Sequence, residues 1–252
     1  MVPRACEVTM AAAAAEAKAQ YSAILLGATG NVGGRIVQLL IGNPLCRKVV
    51  VVTRRKTNAF ADPRVCEVVV NMDRLEDEVA PHAGEVDVAL AAFGVGKGSA
   101  KMREEEVRKI EIAYPQAFCR AARAGGSRVC GLMTAAGADP EARMKYAKII
   151  GEKEKAVESI KFDFPGIYRP SVILGNSNTP GAPGYAMPRL NWAMPSRYHS
   201  IHKNDLARAM VAQSEQAFLA IAQGNAPQEA TVKILEYKDM EPFFVKGESD
   251  EP

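Results

Sequence analysis

The chain has 252 residues, of which 48% are hydrophobic and 24% charged, and its 32 lysines and arginines nearly balance its 29 aspartates and glutamates. This composition is typical of a globular protein with a sizeable core. A charge balance this even argues against a dedicated nucleic-acid-binding protein. The apolar runs are shorter than the roughly 20 residues that a membrane-spanning helix needs. The five cysteines form no C-x-x-C pair, which disfavours a metal site or a disulfide framework and favours a cytoplasmic location.

The two ends of the chain differ from the rest in composition. We expect residues 1–21 to form a flexible N-terminal tail, because their alanine run lacks the leucine-rich segment of a secretory signal. An organelle-import address stays open as the alternative. Residues 247–252 are polar and are expected to be disordered. The sequence between them, 22–246, predicts a single domain.

Short β-branched runs alternate with longer helical patterns from Ser22 onward. The runs are apolar on both faces, which suits strands of a parallel sheet covered by helices on each side. The alternation predicts an α/β fold built on a doubly wound parallel sheet. The predicted strands are 23–26, 49–52, 68–70, 86–90, 129–133 and 166–168.

Four helices are predicted from the residues that start, interrupt or end them. The first spans 32–41 and is stopped by Gly-Asn-Pro. The second spans 103–124 and should kink or start late, because it contains a proline at position 115. A third opens at Asp139-Pro140, an N-cap followed by proline, and runs to about residue 160. The fourth runs from 203 or 204 to 222, and the loop 175–195 before it is of the long, irregular kind that is usually functional or mobile.

The strongest motif follows the first predicted strand and reads Gly27-Ala28-Thr29-Gly30-Asn31-Val32-Gly33. The first glycine permits a tight turn, the second lets a pyrophosphate approach the backbone, and the third lets helix and strand pack closely. The helix N-terminus then offers N–H groups and a partial positive charge to phosphates. The alternative is a structural turn that binds nothing. The predicted cofactor-binding residues here are Gly27, Thr29, Gly30, Asn31, Val32 and Gly33.

The end of the second predicted strand distinguishes between the two nicotinamide cofactors. An acidic residue there would hold the ribose 2′-hydroxyl of NAD. The sequence instead continues as Thr53-Arg54-Arg55-Lys56, without a carboxylate. Arginine can grip the additional 2′-phosphate of NADP with two parallel hydrogen bonds. We therefore predict NADP(H) bound by Arg54 and Arg55, with a solvated basic loop as the alternative.

Two further segments follow predicted strands. Asn71-Met72-Asp73 comes after the third strand, where an adenine would lie, and Asn71 or Asp73 could bind its amine or equally cap a helix. Phe93-Gly94 comes after the fourth strand and is expected to lie under the cofactor. We include Asn71, Met72, Phe93 and Gly94 among the predicted cofactor-binding residues.

These features together resemble the short-chain dehydrogenase/reductase superfamily. The match is to its atypical, NADP-binding branch, and most closely to the Tat-interacting-protein oxidoreductase-like group. The resemblance covers about Ser22 to Met240. It implies a Rossmann-like core, a cofactor contact at Pro170, and a small C-terminal substrate region in which residues 175–195 form a lid. Besides the glycine turn and the basic run, the matching segments are Tyr114 with Ala124-Gly125-Gly126, Gly137-Ala138-Asp139, Tyr146 with Gly151-Glu152, Phe162-Asp163, Arg169-Pro170-Ser171-Val172, Asp205-Leu206-Ala207-Arg208-Ala209-Met210 and Leu235-Glu236.

The resemblance also assigns proton donation to a tyrosine followed four residues later by a lysine. Positions i and i+4 share one helix face, and the ammonium lowers the tyrosine pKa from about 10. Tyr146 fits this role, but Ile150 occupies the lysine position. Lys148 points to the far side of the helix, and Lys153 lies about 10 Å further along the axis. We expect neither to replace the missing lysine, and Thr134 is the sole hydroxyl after the fifth strand.

Two functional hypotheses follow. The first is an NADP(H)-binding protein with an incomplete catalytic set, acting as a regulator, sensor or scaffold. The second is an active NADP-dependent oxidoreductase that reduces a small carbonyl or quinone through Tyr146 and Thr134. Under the first, Tyr146 is kept for packing or for a ribose hydrogen bond. The expected partners are the dinucleotide, a possible carbonyl substrate, and a possible protein partner or second copy of the chain, with no nucleic acid, membrane or metal.

Overall fold

The computed structural model describes residues 19–96, 101–175, 191–226 and 231–245. Of the two predicted tails, residues 1–18 and 247–252 lie outside these ranges. Residues 19–21 are described, and the first strand begins at Tyr21, one residue before the predicted start of the domain. Most of the predicted lid, 176–190, also lies outside them. None of the helices that the structure describes is long and apolar enough to cross a membrane.

Within these ranges, one parallel sheet of seven strands organises the chain. Its order is β3-β2-β1-β4-β5-β6-β9, and each pairing is parallel. A separate parallel pair joins β7 to β8. The strands are β1 (Tyr21–Leu26), β2 (Cys46–Thr53), β3 (Val65–Val69), β4 (Val88–Ala91), β5 (Val129–Met133), β6 (Phe164–Tyr168), β7 (Ile173–Leu174), β8 (Ile201–His202) and β9 (Lys233–Leu235).

Helices cover both faces of this sheet. Alternate residues of β1 point to opposite sides, so Leu25 packs in one core cluster with α1 and α6, whereas Ile24 packs in a second with α4 and α5. This arrangement confirms the predicted doubly wound α/β fold. The described helices are α1 (Asn31–Gly42), α2 (Leu75–Val79), α3 (Glu104–Arg108), α4 (Tyr114–Ala124), α5 (Lys145–Glu158), α6 (Lys203–Ala222) and α7 (Tyr237–Met240).

The strand order changes direction at β1. This strand pairs with β2 on one side and with β4 on the other. The connections that leave β1 and β4 therefore separate at the carboxyl edge of the sheet and open a crevice between them. In open α/β sheets, ligands bind at such a point.

The long helix predicted over 103–124 is interrupted, in agreement with the kink expected from the proline at position 115. It consists of α3, a π-helical turn (Lys109–Ala113) and α4. The Tyr114 N–H bonds to Lys109 O, five residues back. In an uninterrupted α-helix the ring of Pro115 would clash with the Glu111 carbonyl. The wider turn moves that carbonyl away, and π turns occur frequently at functional sites.

The third helix starts later than the sequence predicts. It begins at Lys145, whereas Asp139-Pro140 lies in a turn that folds back along it. The Asp139 N–H donates to Ala147 O over 3.1 Å. A Cβ atom on Gly151 would lie 2.2 Å from the Pro140 nitrogen, so the turn crosses the helix at its closest point. The predicted start was wrong because packing against Gly151 overrides a local capping signal.

Candidate dinucleotide-binding site

The glycine turn after β1 is a close three-way contact of backbone. Gly27 has φ +95°, and a Cβ there would lie 2.3 Å from Ala92 O at the end of β4. A Cβ on Gly33 would lie 2.0 Å from Gly27 O. The Gly30 N–H donates to Gly27 O over 2.9 Å and closes the turn. Side chains at the first and third positions would therefore push α1 away from the sheet.

The N-terminus of α1 is open and electrostatically positive. Gly30 is the N-cap and provides no side chain to cover the first turn, and that turn contains no acidic residue. The first N–H groups of a helix lack intrahelical acceptors and carry part of the positive end of its dipole. A cradle of glycines at such a helix end fits a phosphate group. The residues present thus fit a dinucleotide diphosphate.

A basic cleft of about 670 Å³ leads away from this turn along the end of β2. Thr29, Gly30, Arg54, Arg55 and Lys56 line it, and the described lining includes no carboxylate. All three cationic side chains are exposed to solvent. This end of the site therefore presents three positive charges to a bound ligand.

Glu67 fixes the turn that carries these cations. Its Oε1 accepts hydrogen bonds from the Thr57 N–H and hydroxyl, both over 2.9 Å, and from Thr53 Oγ1. Burial works to raise the pKa of Glu67, but these hydrogen bonds outweigh it and hold the pKa below its usual range. The carboxylate thus stays charged and bonded near neutral pH.

A second cleft, of about 380 Å³, meets the first at Gly30 and runs over the ends of β4, β5 and β6. The structure brings most of the predicted residues to these two clefts, while Gly27 and Gly33 form the backbone cradle beneath them. The predicted residues that line the second cleft are Gly30, Asn31, Val32, Phe93, Gly94, Thr134, Tyr146 and Pro170.

Asn71 and Met72 lie outside the described lining of both clefts. Asn71 Oδ1 accepts from the Asp73 N–H over 3.0 Å, which is the capping contact that the sequence left open. Asp73 accepts from the Tyr114 hydroxyl over 2.7 Å and pairs with Lys109. Met72 packs against the core. An adenine contact at these residues stays a prediction.

Tyr146 stands at the mouth of the second cleft and is 43% exposed. Partial burial, together with the charge of Glu111, raises the pKa of Tyr146 above its usual range. Ile150, at the position where the resemblance implies a lysine, is 1% exposed and lines the same cleft. Tyr146 is therefore kept in its neutral, proton-bearing form.

The hydroxyl of Thr134 is engaged within the protein. Its Oγ1 lies 2.8 Å from Glu154 Oε1 and 3.2 Å from Tyr168 O, and it has one proton to donate. Glu154 also pairs with Arg169, whose Nε lies 2.9 Å from Oε1. The hydrogen bond to Glu154 and the negative charge of Glu154 keep the pKa of Arg169 above its usual value. Thr134 reaches the cleft but must break a buried contact to donate to a ligand.

The sequence reasoning rejected one functional candidate, Lys153, and missed a second, Glu111. Lys153 is 2% exposed, and its Nζ donates to Phe93 O over 2.9 Å and to Glu111 Oε2 over 3.1 Å. The axial separation of about 10 Å from Tyr146 describes only the backbone positions. Helical side chains lean toward the N-terminus, so the long side chain of Lys153 reaches back along the helix. Glu111 was not considered, although the proline four residues later marked a distorted turn there.

Solved structures of short-chain dehydrogenases and of other dinucleotide-binding enzymes have a fold similar to that of this chain. A short-chain dehydrogenase family protein from Francisella tularensis matches 88% of this chain and 100% of its own with a TM-score of 0.63 and 9% identity. The enzyme WbmH from Bordetella bronchiseptica, in complex with NAD+, matches 86% of this chain and 85% of its own with a TM-score of 0.59 and 15% identity. A short-chain dehydrogenase from Burkholderia cenocepacia, in complex with NADP, matches 88% and 91% with a TM-score of 0.56 and 15% identity. The fold is therefore that of the Rossmann-like proteins of the short-chain dehydrogenase/reductase class.

Curated proteins of similar sequence identify the family within this class. Protein FMP52, mitochondrial, from Candida albicans is 30% identical over 61% of this chain and 68% of its own length. Protein HTATIP2 from Rattus norvegicus is 30% identical over 61% and 63%, and protein fmp52, mitochondrial, from Aspergillus niger is 31% identical over 60% and 66%. No family model matches the chain. The chain belongs to the atypical short-chain dehydrogenase/reductase family, the NAD(P)-binding group that includes FMP52 and HTATIP2.

Proposed function

We propose that this chain binds NADP(H), with the diphosphate on the N-terminus of α1 and the phosphorylated ribose on Arg54 and Arg55. The observation that supports this proposal is the basic cleft, which joins the glycine cradle to three cations and has no carboxylate in its described lining. A guanidinium binds a phosphate with two parallel, charge-assisted hydrogen bonds. Solved relatives of similar fold hold either NAD+ or NADP, so the choice of cofactor rests on this chain's own residues.

The test is the ratio of NADPH to NADH affinity, measured by nucleotide fluorescence on the purified protein. We expect NADPH to bind at least tenfold more tightly, and Arg54→Ala to remove about tenfold to a hundredfold of that preference, since a charged hydrogen bond contributes roughly 1.5–3 kcal/mol. Arg47→Ala is the control, because Arg47 is also exposed but lies at the opposite end of β2, beside Asp87. Equal affinities for both nucleotides, or an unchanged ratio in Arg54→Ala, contradict the proposal.

We further propose that the bound cofactor serves the slow reduction of a small carbonyl or quinone. When bound, NADPH supplies a hydride to the carbonyl carbon of the substrate. Tyr146 donates a proton to the carbonyl oxygen, which becomes the hydroxyl of the product. The observation that favours this role is that Tyr146 shares its cleft with the buried ammonium of Lys153. Met133, Ile150 and Ile173 supply apolar walls on the same cleft.

A role in binding alone is the second candidate: a regulator, redox sensor or scaffold that holds NADP(H) without turnover. Two observations favour it, namely Ile150 in place of the expected lysine and the engagement of Thr134 with Glu154. The loss of nicotinamide absorbance across a panel of carbonyls and quinones separates the two roles. Saturable NADPH-dependent reduction supports the oxidoreductase, whereas tight NADPH binding without turnover supports the regulator.

The compartment and the partners stay predictions from the sequence. Cysteine usage favours the cytoplasm, whereas two of the relatives bear mitochondrial names. A C-terminal fluorescent fusion, compared with the same fusion lacking residues 1–18, tests whether that segment directs the chain to an organelle. Gel filtration with and without NADPH tests for a second copy of the chain.

A further inference from the structure

Among the described residues that line the cleft of Tyr146, Lys153 is the single cation. It comes from α5, seven residues beyond Tyr146, and so lies on the same helix face. Its ammonium is buried beneath the loop that follows β4, where Phe93 O and Glu111 Oε2 accept its hydrogen bonds. The positive charge absent from position 150 is therefore present in the same cleft, one helical turn further on.

We propose that Lys153, held by Glu111, is the positioning residue that supplies the positive charge for proton transfer from Tyr146. The inference rests on the proposed reduction and assigns the charge partner of its proton donor. In that step the Tyr146 O–H bond breaks and a new O–H bond forms on the alkoxide left by hydride addition. The ammonium balances the phenolate until water at the exposed edge of Tyr146 returns a proton. An alkoxide is a much stronger base than a phenolate, so a neutral tyrosine can serve as the donor.

Glu111 is what makes a buried lysine tolerable at this place. A lone ammonium in the protein interior is costly unless it is paired and hydrogen-bonded. Glu111 is itself 2% exposed, and its second oxygen, Oε1, accepts from the Val95 N–H over 2.8 Å. The pair thus binds the loop at residues 93 and 95, on both sides of Gly94. A Cβ on Gly94 would lie 2.8 Å from Glu111 Oε1, so a side chain there would displace this carboxylate.

The π turn explains how Glu111 reaches this position. Glu111 is the central residue of the turn, and the rest of its turn is half-buried or exposed. The widened turn, imposed by Pro115, sets the direction of Glu111 relative to α3. The helix distortion, the buried carboxylate and the buried lysine are therefore parts of one arrangement.

The first test needs no cofactor. The ultraviolet titration of the Tyr146 phenol is obtained as the difference between each protein and its Tyr146→Phe counterpart. Exchanging the two side chains (Ile150→Lys with Lys153→Ile) moves the charge to the i+4 position and should lower the titration midpoint by about one pH unit or more. In a Glu111→Gln background, which leaves no unpaired carboxylate, Lys153→Met should raise it, whereas Lys148→Met, on the exposed far side of α5, should leave it unchanged. Midpoints that do not respond to either change at position 153 overturn the inference.

The second test separates a charge effect from a purely structural one. Because Lys153→Met alone leaves Glu111 without its partner, it is combined with Glu111→Gln, which removes both charges and leaves an amide oxygen to accept from the Val95 N–H. We expect kcat for the reduced carbonyl to fall about tenfold or more, with the NADPH dissociation constant within about threefold. The exchanged variant, carrying the same Glu111→Gln change, should recover most of kcat. A folded exchanged variant that stays as slow as the uncharged pair overturns the inference, while failure of the unaltered chain to bind NADPH refutes the proposed cofactor instead.

Discussion

The hydroxyl of Tyr146 keeps its proton near neutral pH. Its burial and the nearby Glu111 carboxylate both raise its pKa, so the hydroxyl stays protonated across the physiological range. We expect Tyr146→Phe to lower the rate of carbonyl reduction about a hundredfold, a typical contribution of general acid catalysis. Its NADPH affinity should change less than twofold, because the glycine cradle and the arginines remain intact. Initial rates and fluorescence titration measure the two effects separately.

Tyr114→Phe is the matched control for that experiment. It removes a tyrosine hydroxyl that bonds to Asp73, outside the described lining of both clefts. Its rate should therefore equal that of the unaltered protein. Equal rates in Tyr146→Phe and Tyr114→Phe would mean that Tyr146 is not the proton donor.

Single residues also show where sequence reasoning succeeds. Gly33 could be placed from the sequence because its close contact, with Gly27 O, lies within one strand–turn–helix unit. Lys153 and Glu111 could not, because their contact joins two helices that are distant in sequence. The length and direction of one lysine side chain decide whether it reaches Tyr146's cleft. Residue spacing along a helix does not contain that information.

Helix α1 carries both a glycine that the fold requires and one that it does not. A Cβ on Gly33 would meet Gly27 O at 2.0 Å, whereas a Cβ on Gly42, at the other end of the helix, would meet nothing within 4 Å. We expect Gly33→Ala to lower the free energy of unfolding by about 3 kcal/mol, because α1 must move away from β1. The same shift should abolish NADPH binding.

Gly42→Ala should instead raise the free energy of unfolding by about 0.5 kcal/mol, since alanine restricts the unfolded chain and favours the helix. Urea unfolding of both variants, followed by circular dichroism, checks the pair. A Gly33→Ala variant as stable as the unaltered chain, or one that still binds NADPH, would show that the turn tolerates a side chain.

The elements themselves were predicted unevenly. The interruption of the 103–124 helix could be foreseen from Pro115, but its form as a π turn depends on how the two halves pack. The late start of α5 could not be foreseen, because Asp139-Pro140 is a good local start signal that the Gly151 contact overrides. Strand β9 was missed altogether. Its three residues, beginning with Lys233, show no alternation, and it is a strand only because it pairs with β6.

Across the whole molecule, the class of fold follows from the sequence but the strand order does not. Runs that are apolar on both faces indicated a parallel sheet, and the buried β1, with all six residues below the surface, confirms that interpretation. The neighbours of each strand are set by crossover connections through α1 and the helices after it. No local pattern in the chain specifies that β1 lies between β2 and β4.

Stability should fall steeply in alkaline solution because two tyrosines are fully enclosed. Tyr21 and Tyr168 are each 1% exposed, and burial is the first cause that raises the pKa of both above the usual range. Above pH 10 the unfolded chain loses these protons while the folded chain keeps them, so their contribution is complete below pH 10 and is lost as the pH rises. Each tyrosine lowers the free energy of unfolding by about 1.4 kcal/mol for every pH unit above pH 10.

Urea unfolding between pH 8 and pH 11 measures this dependence, and Tyr168→Phe isolates one of the two groups. The variant keeps the buried ring but has no phenol to ionise. It should therefore lose stability less steeply than the unaltered chain above about pH 10. Parallel curves for the two proteins would show that Tyr168 ionises as readily folded as unfolded.

The central position of β1 has a consequence for how the chain folds as it leaves the ribosome. Its pairing with β2 is available early, since the two strands are joined by α1 alone. Its other edge stays open until residues 88–91 have been synthesised. During that interval the nascent chain exposes an apolar strand with unsatisfied backbone groups, which is a template for association with other chains. The emergence of β4 therefore covers the second edge of β1 and removes this template.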